Sequence, residues 1–162
     1  MAVNDKIPGG QTGFTLIELV IVMVVLGFLG AAAVPRFIDL RREALISTMH
    51  GLKGALQSAA TMVHAKAVVA GVANQANATI AIEGVDVDLV YGYPAGSANG
   101  IVRLVDPPSS GWNDRQSTYS GAWVYWHGEI DADAWDAKCF IRYRQSDAAD
   151  SRPVIDWEDS GC

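Results

Sequence analysis

The chain has 162 residues, half of them hydrophobic, with 12 Lys and Arg against 18 Asp and Glu, a formal charge of −6. That length holds one head domain with a genuine core once a membrane segment is set aside, and the acidic balance argues against direct nucleic-acid binding, which needs Lys and Arg clustered against phosphate. The charge is uneven: residues 36–66 carry five basic and two acidic side chains, a net of +3, whereas 71–162 carry six basic and fourteen acidic, a net of −8.

The first element in chain order is an apolar run. Residues 14–34 pass without a positive charge, and a helix of that length, rising about 1.5 Å per residue, covers about 30 Å of hydrocarbon. Glu18 is the anomaly, since a charged group at the centre of a membrane helix costs about 2.5–3.5 kcal/mol, less near the interface. Such a carboxylate calls for a partner. A cut between Gly13 and Phe14 would supply one, because the new α-amine on Phe14 of one copy can neutralise Glu18 of a neighbour.

Gly13-Phe14-Thr15-Leu16-Ile17-Glu18 at the head of an apolar helix resembles the class III signal of type IV prepilins. The resemblance covers residues 13–35. It implies a leader of residues 1–13 that a prepilin peptidase removes after Gly13, N-methylation of Phe14 by the same enzyme, Glu18 as the assembly carboxylate and Pro35 as the helix-kinking proline. Two features depart from the family pattern. The leader holds a single Lys, Lys6, offset by Asp5, where prepilin leaders carry several basic residues, and Arg36, Arg41 and Arg42 follow the run, so a positive-inside count does not place the N-terminus in the cytoplasm. Orientation rests on the resemblance. The three arginines suit the headgroup level of an anionic leaflet at about 1 kcal/mol each, with a solvated helix face as the competing reading. A secretory signal peptide fits less well, because the run is too long and Ala31-Ala32-Ala33 leads straight into Val34-Pro35; a plain signal anchor gives no reason for Glu18.

After Pro35 the pattern turns amphipathic. Ile38, Leu45, Met49, Leu52, Leu56, Ala59, Val63 and Ala67 recur at helical spacing, which carries a helix to about Val69. The expected segments are therefore a transmembrane and assembly helix over 14–35 and an amphipathic helix over 36–70, with Gly27, Gly30 and Pro35 as local weak points.

The head follows over 71–162. Small and polar residues predict a connecting loop over 71–79, where Asn77-Ala78-Thr79 also fits a glycosylation sequon of little weight. Val85, Val87, Leu89 and Tyr91 alternate with Asp86, Asp88 and Val90, a half-buried strand. A short helix is expected over 99–105 with Asn99 as its cap, and strands over 121–127, 139–144 and 153–157. The class is α+β: a long N-terminal helix packed on a C-terminal antiparallel sheet, the ladle shape that the pilin resemblance also implies. Cys139 and Cys162 in an exported chain most simply form one disulfide, worth about 3 kcal/mol by loop entropy. A reduced pair is the alternative, and no Cys/His spacing supports zinc. A cysteine-bounded C-terminal loop also resembles that of type IV pilins.

No catalytic constellation emerges. His50, His64 and His127 are isolated, and neither a His-Glu-x-x-His, a Gly-x-Ser-x-Gly nor a phosphate-cradling loop is present, so no enzymatic activity, metal or cofactor is expected. Asp131, Asp133 and Asp136 offer oxygen ligands to calcium but miss the EF-hand spacing and its glycine, so a solvated loop is preferred. Of the five tryptophans, those in strands read as core. Trp112 and Trp135, in loops, are the candidates for stacking on a surface glycan.

These readings converge on a structural subunit of a type IV pilus, stored in the inner membrane and polymerised into an extracellular fimbrium for adhesion, attachment or motility. Its implied partners are further copies of itself, the prepilin peptidase and N-methyltransferase, the assembly platform with its ATPase, and a surface glycan receptor. Val34-Pro35-Arg36-Phe37 with Leu89-Val90-Tyr91-Gly92-Tyr93-Pro94 is most similar to the mannose-sensitive haemagglutinin (MSHA) type of pilin. The alternatives are a type II secretion pseudopilin and a membrane-anchored glycan-binding protein.

Overall fold

The computed structural model describes residues 13–108, 111–128 and 138–162. The leader as far as Thr12, the Asp131, Asp133 and Asp136 cluster, and Trp135 lie outside the described residues. The chain forms two compact units, Met1–Arg41 and Arg42–Cys162.

Helix α1 spans Leu16–Val69. Over residues 16–33 it is apolar on every side apart from Glu18. The stretch Leu16–Ala33 has a mean hydropathy of 2.6 and buries nothing, and among the described residues it is the one helical segment long and apolar enough to cross a membrane. Phe14, just ahead of it, is 91% exposed.

In the second unit α1 buries one stripe. Met49, Leu52, Leu56, Ala60, Val63 and Ala67 are 0–4% exposed, and their steps of three and four residues keep them on one face. Two antiparallel sheets cover that stripe. The first orders β1 (Ala78–Ile82), β2 (Val85–Val90) and β3 (Tyr93–Pro94); the second orders β4 (Trp112–Gln116), β5 (Ala122–His127), β6 (Phe140–Arg144) and β7 (Val154–Glu158). The α+β layout is that of a type IV pilin-like fold, but the sheet is divided in two. Val63 and Ala67 pack with Val87 and Leu89 of β2. Leu52, Leu56 and Ala60 pack with Ile101, Tyr125, Ile141 and Tyr143. The odd-numbered residues of β6 face the helix while Arg142 and Arg144 face away, as strand alternation requires.

Several local expectations are corrected. Residues 78 and 79, assigned to a connecting loop, begin β1, whose Ala-Thr-Ile-Ala-Ile sequence alternates half-buried and exposed positions and pairs Ala78 with Leu89 through to Ile82 with Val85. Trp112 opens strand β4 and is not in a loop; the polar sequence Trp-Asn-Asp-Arg-Gln carries no alternating signal and gains its strand from pairing with β5. The helix expected over 99–105 shrinks to a 3₁₀ turn at Ile101–Arg103, and Asn99 does not cap it: Gly100 holds that position, and Asn99 Oδ1 accepts from Arg103 Nη2 at 2.9 Å. Nor are the strand tryptophans fully buried. Trp112, Trp123 and Trp126 are half-buried and Trp157 is 43% exposed.

A tight junction joins the two sheets. Tyr143 donates its buried hydroxyl to Pro94 O at 2.8 Å, and Gly96 N donates to Gln145 Oε1 at 3.0 Å. Gly96 passes so close to the start of β5 that a Cβ there would lie 2.2 Å from Gly121 O.

Candidate functional site

Gly13 and Phe14 lie in non-helical chain immediately before α1, and Glu18 stands in its first turn. The local sequence explains why the helix starts where it does. Thr15 is its N-cap: Glu18 N donates to Thr15 Oγ1 at 3.3 Å, and Glu18 Oε2 accepts from Thr15 N and Thr15 Oγ1 at 3.4 Å each. This reciprocal pairing is a capping box, and it satisfies two amides that the first turn would otherwise leave without partners. The helix dipole also favours a negative charge in that turn by about 0.3–1 kcal/mol. The Thr-x-x-Glu spacing of such a box stands in the sequence itself. Pro35 falls inside the helical span.

In the second unit Cys139 and Cys162 are joined, with an S–S distance of 2.12 Å and Cα atoms 4.9 Å apart. The cystine rests on α1. Met49 Sδ lies 3.2 Å from Cys162 Sγ and 4.0 Å from Cys139 Sγ. A cystine has no S–H to donate, so these are polarisable sulfur contacts rather than hydrogen bonds. They fix the C-terminal residue to the helix, and Gly161 N donating to Lys138 O at 2.8 Å closes the same end.

The three histidines remain apart. His50 meets Trp157 edge-on at 6.4 Å, His64 stacks on Tyr93 at 4.1 Å, and His127 meets Trp112 at 5.8 Å. Among the described residues no group of three or more His, Cys, Asp or Glu is placed to hold a metal ion.

Four ionisable side chains of the head are displaced from their ordinary values, Glu158 among them, held low by hydrogen bonds from Ser160. Burial pushes the Tyr143 and Tyr125 hydroxyls well above the tyrosine range, helped at Tyr143 by Tyr93 and Tyr125 and at Tyr125 by the charges of Asp114 and Asp106. For Asp156, desolvation acts upward, but the hydrogen bonds and charges of Arg142 and Arg144 outweigh it and hold the carboxyl below the usual range. Arg142 Nη2 and Arg144 Nε reach Asp156 Oδ2 at 2.7 and 3.0 Å.

Comparison with known proteins bears on the N-terminal segment. Residues 9–34 match the family described as "Prokaryotic N-terminal methylation motif". Over 47 residues the chain is 51% identical to the Type IV narrow pilus major component PilA5 of Thermus thermophilus; the match takes in 29% of this chain and 40% of that relative's length. No solved structure gives a significant match. The chain thus carries a prokaryotic N-terminal methylation motif, similar to a type IV pilus component, ahead of a head in a type IV pilin-like α+β layout.

Proposed function

We propose that this chain is the precursor of a type IV pilin, a non-enzymatic subunit that is cut after Gly13, N-methylated on Phe14 and polymerised into a surface filament. The observation that carries the reading is the placement of Glu18 in the first turn of an 18-residue apolar window without basic residues, directly behind the Gly13-Phe14 junction. A prepilin peptidase would remove the leader and methylate the new amine. The apolar half of α1 would hold the subunit in the inner membrane until an assembly platform and its ATPase draw it into the growing fibre. There the helices bury one another, at about 25 cal/mol per Å² of apolar surface, and the Phe14 amine of one copy meets Glu18 of the next. Residues 14–35 are thus the assembly segment, 36–70 the amphipathic half of the helix, and 71–162 the head presented on the fibre. The cystine at Cys139 and Cys162 favours a surface pilin over a type II secretion pseudopilin. The Val34–Phe37 and Leu89–Pro94 sequences support the MSHA subtype, with attachment as the use of the fibre.

Mass spectrometry of protein sheared from cell surfaces, set beside protein from inner membranes, tests this. A sheared fraction beginning at N-methylated Phe14 is expected. Protein found only in membranes with residues 1–13 still attached would overturn it in favour of an anchored binding protein.

A further inference from the structure

A groove of about 500 Å³ opens on the second unit, lined by Lys53, Gln57, Thr61 and His64 of α1, Tyr93 of β3 and Arg152 just before β7. Its chemistry departs from the rest of the head. Residues 71–162 net −8, yet among the described residues the groove wall contains two cations and no carboxylate. Among the described residues neither Lys53 nor Arg152 makes a salt bridge. The ion pairs there gather on Asp156, which strand alternation turns to the opposite face of β7 from Ile155. Lys53 Nζ stands 3.3 Å over the centroid of the Trp157 ring, a contact that positions the ammonium without neutralising it. His64 lies flat on Tyr93, its plane 6° from parallel, with Nδ1 3.3 Å from Gly92 O. The ring is therefore fixed in place. The Gln57 amide adds donor and acceptor atoms. Thr61 gives its proton to Gln57 O at 2.9 Å, so its oxygen remains as an acceptor.

We propose that this groove binds a carboxylated saccharide, a uronic-acid oligosaccharide whose carboxylate lies between Lys53 and Arg152 and whose ring hydroxyls meet Gln57, Thr61 and His64. The volume is that of a small-molecule site, within the common range of about 300–1,000 Å³, and exceeds what one acidic side chain would fill. Mixed donors and acceptors beside aromatic faces suit a polyhydroxylated ring, and the unpaired cations select its acidic form. The site lies wholly within the Arg42–Cys162 unit, so it does not depend on cleavage after Gly13 or on filament assembly.

The test is calorimetric titration of the full chain in detergent micelles with an alginate tetrasaccharide, beside neutral maltotetraose and inorganic phosphate. Saturable binding of the uronate is expected, with maltotetraose and phosphate each weaker by about tenfold or more, and with Arg152→Gln and Gln57→Ala each weakening the uronate by about tenfold. Both side chains are exposed, so circular dichroism of the variants should match the parent. Absence of binding, or binding unchanged in Arg152→Gln, would overturn the proposal. So would phosphate binding as tightly as the uronate, which would mark a plain anion site. Loss of self-association in Arg152→Gln without any uronate binding would assign the groove to an acidic segment of a second copy, and would overturn it too.

Discussion

Thr15 and Glu18 close a reciprocal capping box at the start of α1, so the carboxylate that an apolar helix should find hardest to tolerate is already engaged by its own chain. Only Oε2 takes part; Oε1 has no partner among the described residues. Under the proposed function, a membrane-stored subunit would thereby hold Glu18 at reduced cost and still offer one oxygen to a neighbour's amine. The same geometry bears on what the proposed Phe14–Glu18 ion pair would do in a fibre. A buried pair must offset its own desolvation, so its main effect is to penalise registers in which either partner is left alone.

Substitutions at these two positions separate capping from charge. Glu18→Gln keeps an N3 side chain able to close the box but removes the charge; Thr15→Val removes the cap, costing about 1 kcal/mol of helix start, and keeps the charge. We expect Glu18→Gln, Glu18→Ala and Glu18→Lys to be processed normally yet to form no filaments, and Thr15→Val to form them at reduced yield. Immunoblots for cleavage and electron microscopy of sheared fractions read both steps. Abundant filaments from Glu18→Gln would show that the charge does not set register.

The cystine should be a major support of the head. Its two cysteines are 23 residues apart, and closing such a loop is worth about 3 kcal/mol by chain entropy. Replacing both by Ser should lower the melting midpoint of the second unit by about 10 °C. Met49, 2% exposed under the two sulfurs, couples that loop to the helix. Met49→Ala should cost about 2–5 kcal/mol in the oxidised chain and less once the cystine is gone, because neighbouring deletions do not add. Near-ultraviolet melts of the four proteins give the coupling, and strictly additive losses would refute it.

Gly96 is required by close approach. A methyl group there would meet Gly121 O at 2.2 Å and Gly121 C at 2.5 Å, both backbone atoms that cannot swing aside, at the point where Gln145 also ties β6 to the end of β3. Gly96→Ala should therefore destabilise the head by about 3 kcal/mol or more. Gly54→Ala, whose Cβ would meet nothing within 4 Å, is a matched control and should stabilise the helix slightly, by about 0.5–1 kcal/mol. Denaturant midpoints for the pair decide it, and equal values would mean that the junction is loose.

Much of this architecture was legible because it is written in periodicity. The apolar run and the stripe from Met49 to Ala67 follow from spacing, except that Ala60 is the buried alanine and the expected Ala59 is half-buried, and β2 follows from the alternation of Val85, Val87 and Leu89. β4 was not legible. Asn113, Asp114 and Arg115 carry no strand pattern, and the strand exists because β5 offers an edge. Nor could composition show how the two sheets are joined, since the junction depends on contacts such as Gly96 with Gly121 between residues far apart in sequence. At the N-terminus the motif is plain in the sequence, and the nearer partner of Glu18 is local, the hydroxyl of Thr15 three residues earlier. The groove was hidden for another reason. Lys53, Tyr93 and Arg152 come from α1, β3 and the chain just before β7, and no spacing rule connects them.

Stability against pH should fall at both ends for different reasons. A carboxyl held below its ordinary 3.8, as at Asp156, stabilises the fold only while ionised. That contribution is whole above the unfolded value and is lost as pH falls below about 4 through the folded one. The carboxylate is partly exposed and shared by Arg142 and Arg144, so after screening the effect is modest, about 0.5–1 kcal/mol. The tyrosines act in the opposite sense. Tyr143 and Tyr125 are raised well above 10, so their contribution is complete below the unfolded value and erodes as pH climbs past about 10, where the unfolded hydroxyls ionise and the buried ones do not. Asp156→Asn should flatten the acid limb and leave the alkaline limb alone. Tyr143→Phe should flatten part of the alkaline limb while lowering stability at neutral pH by about 1 kcal/mol, because Pro94 O loses its donor. Urea midpoints between pH 3 and 11 for the parent and both variants separate the two limbs. An alkaline limb unchanged by Tyr143→Phe would mean that its hydroxyl reaches water in the folded head.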